Sequence, residues 1–222
     1  MSELCRERLA TQLAEAVAEA LRQDLTRQAR ALLVVSGGTT PLPFFRALSL
    51  CTLPWSRVEV TLADERWVPE DHADSNARLV REHLLQGPAA EATFVPLTTR
   101  DVTPEQGVEA LVQRIAGLAW PASAVVLGMG GDGHTASLFP DSHELSLALS
   151  TGEPAVAVRA ASQPQPRLTL SADRLHRAHR HFLHITGGDK RNVLARALAG
   201  DDSRELPIRA FLACPLAVYW AP

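Results

Sequence analysis

Ala31-Leu32-Leu33-Val34-Val35, followed at once by Ser36-Gly37-Gly38-Thr39-Thr40-Pro41, is the stretch that decides the fold. Five consecutive apolar residues without polar alternation fit a strand covered on both faces, as in the middle of a parallel sheet. The two glycines let the backbone approach a ligand closely, and Thr39 or Thr40 offers a cap for the helix that follows. Exposed N–H groups and the helix dipole then favour an anion such as phosphate. The GxxxxGK[ST] spacing of a nucleotide P-loop is missing, and an ordinary glycine turn would look similar.

Upstream, Leu13, Val17, Leu21 and Leu25 recur every four residues from Leu9 onward, the stripe of an amphipathic helix. Downstream, helix and strand signals alternate. Helices are expected over 43–50, 75–85, 103–118 and 190–198, the third capped by Thr103 with Gln106 three residues on. Strands are expected over 58–62, 93–96, 124–127, 155–159, 167–170, 181–186 and 216–220. Repeated βα alternation with short connections and no linker predicts a single α/β domain over 1–222. Its sheet should be mostly parallel with helices on both faces, a modified Rossmann-like arrangement. In such sheets ligands bind beyond the carboxyl ends of the strands.

The 222 residues carry 22 basic and 25 acidic side chains, a formal charge of −3, so no polyanion-binding surface and no nucleic-acid partner is expected. Lys190 is the single lysine. With 46% apolar and 21% charged residues the chain is of ordinary globular composition. Cys5, Cys51 and Cys214 are odd in number and scattered, against a disulfide framework or thiolate cage. The first residues, Met1 to Arg8, mix both signs of charge without an apolar run, and no stretch approaches the ~20 apolar residues of a membrane span. A soluble cytoplasmic protein without membrane partners is expected.

Three loops carry candidate chemistry. The first is Ser36 to Pro41. The second is Ala63-Asp64-Glu65-Arg66-Trp67, continuing to Asp74-Ser75-Asn76. Three consecutive ionisable residues at a strand end must be paired or used. Arg66 could bind phosphate or polarise a carbonyl, with Asp64 or Glu65 orienting it. A solvated turn capped by Asp74 or Ser75 is the plainer alternative. The third, Gly128-Met129-Gly130-Gly131-Asp132-Gly133-His134-Thr135-Ala136-Ser137-Leu138-Phe139-Pro140, formally contains GxGxxG between strand and helix. Its mid-chain position, and Asp132 where a pyrophosphate needs donors, argue against a dinucleotide site. Asp132 and His134 instead suit a carboxylate orienting a catalytic imidazole on a loop open to substrate.

His176, His179, His181 and His184 resemble a metal cluster, but the first two fall on an expected helix. The last two, three apart on a strand, point to opposite faces. No acidic or cysteine ligand joins them, so no metal is expected. Ser36 and Ser137 lack a GxSxG elbow. The tryptophans are read as packing residues. Lys190, after Gly187-Gly188-Asp189, adds positive charge beside backbone donors, as an anion such as phosphate needs.

Taken in order, Ser36-Gly37-Gly38, the Asp64 to Asn76 stretch, the Gly128 to Pro140 segment and Pro166-Arg167-Leu168-Thr169 near Lys190 resemble the family of 6-phosphogluconolactonases and glucosamine-6-phosphate deaminases, over nearly the whole chain. Where the deaminases read Ile-Ala-Phe-Asn-Glu-Pro after Asp-Gly-His, this chain reads Thr135 to Pro140. Phe139 thus stands in place of the glutamate used in deamination, which favours the lactonase. Thr39-Thr40 departs from the serine of many relatives but keeps a hydroxyl. The resemblance implies hydrolysis of 6-phosphoglucono-δ-lactone to 6-phosphogluconate, without cofactor, by a monomer or weak homo-oligomer. His134 would be the general base, oriented by Asp132, with Arg66 serving either the oxyanion or the phosphate. Ser36, Gly37, Gly38, Thr39, Arg167 and Lys190 would hold the phosphate, and Asp64, Gly130 and Gly131 would touch substrate. An amino-sugar phosphate deaminase and a non-catalytic sugar-phosphate sensor are the rival expectations.

Overall fold

The structure, a computed structural model, describes residues 2–222, so Met1 of the N-terminal stretch lies outside it. Helix α1 (Ser2–Leu25) begins about two turns before the expected start at Leu9. Its inward stripe of Leu13, Val17, Leu21 and Leu25 is buried, each side chain stabilising by about 1.5–3 kcal/mol. Strand β1 (Ala31–Val35) is buried at every position, as its unbroken apolarity requires. Helix α2 (Leu42–Ser49) follows the glycine turn, but Pro41 and not Thr39 or Thr40 is its N-cap, and no side chain caps it. Thr39 contributes only its carbonyl, which accepts from the Leu42 N–H at 3.3 Å.

Strand β2 (Val58–Leu62) leads within two residues into β3 (Asp64–Arg66), and helix α3 (Asn76–His83) follows. Strand β4 (Thr93–Val95) and helix α4 (Pro104–Ala116) come next, the helix capped by Thr103 Oγ1, which accepts from the Gln106 N–H. Strand β5 (Ala124–Leu127) precedes the glycine-rich loop and the short α5 (Leu145–Ser150). Then follow β6 (Ala155–Val158), β7 (Arg167–Leu170), α6 (Ala172–His176), β8 (His181–Thr186), α7 (Gly188–Leu198), α8 (Arg209–Leu212) and β9 (Leu216–Ala221).

The main sheet has six strands in the order β4-β2-β1-β5-β8-β9, all parallel. The order reverses at β1, so the loops after β1 and β5 diverge and leave a crevice beyond their carboxyl ends. Helix α1 packs on β1, β5 and β9 and on α2, while α7 packs on β8.

The second sheet is not foreshadowed by the alternation. Strands β3, β7 and β6 form a three-stranded antiparallel sheet. Asp64-Glu65-Arg66 is therefore a strand and not a turn, with Asp64 and Glu65 buried. The segments at 155–159 and 167–170 are strands as expected, yet they belong to this side sheet.

Candidate active site

A cavity of about 290 Å³ opens beyond the carboxyl ends of β1, β5 and β8, with the side sheet as one wall. It is built from three corners.

The first is the Ser36 to Pro41 turn, all of which lines the cavity. Ser36 Oγ accepts from the Gly128 N–H at 3.3 Å, tying this turn to the loop after β5. Gly37 is required by close packing, since a Cβ there would overlap the Asn76 amide. Asn76 is held by donating from Nδ2 to the Asp64 carbonyl at 3.0 Å.

The second corner is cationic. In the β3/β7 ladder Arg66 sits directly opposite Arg167, and both side chains line the cavity. Arg66 donates to the Asp74 carbonyl at 2.5 Å. Glu65 does not orient it. The Glu65 carboxylate accepts from the N–H groups of Arg66, Asn76 and Ala77 and from Ser75 Oγ, clamping β3 to the start of α3. Burial raises the Glu65 carboxyl above its ordinary range, against the pull of those backbone donors. Nor does Asp64 steer Arg66. Asp64 touches the cavity, but its Oδ2 accepts from buried Ser137 Oγ at 2.5 Å and lies 3.9 Å from Arg167. Arg167 also donates to Gln163 Oε1 at 2.7 Å and stacks over Phe139, 5.6 Å from the ring centre. Burial lowers its pKa, Asp64 opposes that and Arg66 adds to it; an arginine remains charged regardless. Lys190, on the first turn of α7, completes the cationic wall by donating to the Met129 carbonyl at 2.7 Å. Burial lowers its pKa, with Asp132 opposing.

The third corner is the loop after β5. Gly130 N–H donates to the His134 carbonyl at 2.8 Å, folding the loop back on itself. His134 Nδ1 lies 2.6 Å from Asp132 Oδ1, which also accepts from the His134 N–H at 3.1 Å. A carboxylate on Nδ1 fixes the proton there and leaves the lone pair on Nε2. Burial would raise the Asp132 carboxyl, but its bonds to His134 outweigh this and hold it below the ordinary range. His134 lines the cavity with its ring 4.4 Å from that of Phe139, whereas Asp132 stands behind it on the exposed side. Gly131 is likewise exposed and away from the cavity, so the expected substrate contact there is not supported by its position. Ala136 adopts φ 48°, a strained left-handed turn of the kind that clusters at functional sites.

Five buried polar atoms around this cavity have no partner: Arg66 Nε, Arg167 Nε, Thr135 Oγ1, Asn76 Oδ1 and His184 Nδ1. Unpaired buried polar atoms are rare in native proteins, and five in residues that line one cavity mark it as a polar site. Asn76, Thr135 and His184 were not singled out for this role from sequence. His184 was legible as a residue near the carboxyl end of an apolar strand, the same rule that found His134.

The other histidines go elsewhere. His181 Nε2 bonds the Leu175 carbonyl, His176 Nε2 the Ala210 carbonyl, and His179 Nδ1 lies 2.7 Å from Asp24 Oδ2. His179 falls beyond the end of α6 and not on it. Among the described residues no three His, Cys, Asp or Glu side chains are grouped to hold a metal.

Burial lowers the pKa of His184 from 6.5 to about 4. The unfolded chain therefore takes up this proton first as pH falls. Above pH 6.5 the residue contributes nothing to the pH dependence. Between pH 6.5 and 4 it costs stability, totalling about 3 kcal/mol. Urea unfolding at pH 7 and pH 4.5 should show wild type losing more stability than His184→Gln. Equal losses would contradict the burial argument.

An open parallel sheet with a cationic cavity and a histidine–aspartate pair at its strand ends defines an α/β protein built to handle a small anionic ligand. The family model described as glucosamine-6-phosphate isomerases/6-phosphogluconolactonase matches residues 5–220, and the chain belongs to that family. It is 49% identical over 212 residues to a 6-phosphogluconolactonase of Pseudomonas aeruginosa, covering 95% of this chain and 89% of that protein. It is 46% identical over 219 residues to a 6-phosphogluconolactonase of Rhizobium meliloti, covering 96% and 94%. The crystal structure of a 6-phosphogluconolactonase from Shewanella baltica superposes with a TM-score of 0.96 at 43% identity, covering 97% of this chain and 94% of that one.

Proposed function

We propose that this chain hydrolyses 6-phosphoglucono-δ-lactone to 6-phosphogluconate in the cytoplasm, with His134 as general base. The observation that carries the reading is the free Nε2 of His134, its other nitrogen held by Asp132, beside a cavity where Arg66, Arg167 and Lys190 converge. The family and the names of the relatives support the same substrate. His134 Nε2 takes a proton from water as its oxygen bonds to the lactone carbonyl carbon, and the carbonyl becomes an oxyanion. The ring C–O bond then breaks, and the imidazolium returns its proton to the departing ring oxygen, leaving a carboxylic acid that ionises. Lys190, Arg167 and the Ser36 to Thr39 turn are assigned to the phosphate, whose binding fixes the carbonyl near His134. Arg66 supplies further positive charge to the same space.

The test is the decay of freshly generated lactone with and without protein, because the lactone also opens spontaneously. Decay at the background rate would reject the reading. The deaminase alternative predicts ammonia release from glucosamine 6-phosphate, and the apolar Phe139 beside His134 disfavours it. A sensor would bind the sugar phosphate without turnover.

Lys190→Ala should raise KM for the lactone ~10–100-fold, the loss of one charge-assisted hydrogen bond, while kcat changes far less. Loss of kcat at saturation would remove Lys190 from the phosphate role.

A further inference from the structure

A second cavity, of about 230 Å³, lies at the opposite edge of the main sheet, where β5 and β8 begin. It is lined by Gln23, Asp24 and Arg27 from the end of α1 and the turn after it, by Ser123, and by His179 and Arg180. We propose that this is a second anion site, for the phosphoryl group of a small metabolite.

Three observations carry it. Ser123 borders this space, is fully buried and has no partner for its hydroxyl among the described residues. Arg27 and Arg180, both exposed, line the same walls. Arg180 donates to the adjoining His179 carbonyl at 3.1 Å, and neither guanidinium meets a carboxylate among the described residues. Among the described residues Asp24 is the one carboxylate in the lining, and its Oδ2 is engaged by His179 at 2.7 Å. The carbonyl of Asp24 already accepts from the N–H groups of Arg27 and Gln28, so the negative end of α1 is largely satisfied. The balance of charge left facing the space is positive, and planar guanidinium groups with a hydroxyl match the oxygens of a phosphoryl group.

Inorganic phosphate is the probe, read by amide chemical shifts. Two separate sets of shifts are expected, one at 24–27, 123 and 179–180, the other at 36–39 and 128–134. The double variant Arg27→Ala/Arg180→Ala should weaken the first set at least about tenfold and leave the second in place. Ser123→Ala, a change of one buried atom, should weaken it in the same direction. Lys190→Ala should affect only the second set. Shifts confined to the catalytic cavity would overturn the proposal. So would a first set that persists unchanged in the double variant.

Discussion

Replacing His134 by alanine is expected to lower kcat for the lactone by ~10²–10⁴, the usual span for loss of a general base. Among the described residues, the substitution removes the only imidazole that lines the cavity with a carboxylate behind it, since His184, the other histidine there, has no such partner. KM should change little, because the phosphate-binding groups remain. Residual acceleration over spontaneous opening is expected from the cations and from positioning alone. Turnover near wild type would sink the assignment.

Gly130→Ala is expected to reduce kcat by ~10²-fold without removing any ionisable group. A Cβ at this position would overlap the His134 imidazole and the Asp132 carboxylate. Gly130 is not among the glycines with positive φ, so alanine is tolerated by the backbone itself, and the cost falls on the histidine–aspartate pair. Displacing a catalytic group by ~1 Å costs on the order of 10² in rate. Gly131→Ala is the matched control, because a Cβ there meets nothing within 4 Å. Thermal unfolding of both variants checks that the fold survives. Equal kcat in the two would refute a packing role for Gly130.

These two glycines show where sequence reading stops. Side by side in a flexible-looking run, both were expected to make room for substrate. In the structure one makes room for the imidazole and the other faces solvent. The strands β1 and β5 were legible because continuous apolarity has one simple cause, burial on both faces. The loops after them were therefore found as well, along with His134, Asp132 and the Ser36 turn. The side sheet was not legible. Strand β3 is three residues long and fully charged, and its partner β7 lies about a hundred residues further on, so no local period announces the pairing. Glu65 was misjudged for the same reason, since its partners at Ser75, Asn76 and Ala77 become neighbours only once β3 is a strand.

The ladder that sets Arg66 opposite Arg167 has a consequence for how this protein balances durability against use. Like charges directly across a strand pair repel, and Asp64 at 3.9 Å is a distant counterweight to Arg167. Selection for a sturdier fold alone would place an apolar residue at one of the two positions. Keeping both arginines trades some resistance to unfolding for a pocket already charged to receive an anion. Under the proposed function an arriving phosphate is counterion and substrate handle at once, and its binding is expected to steady the junction of the two sheets.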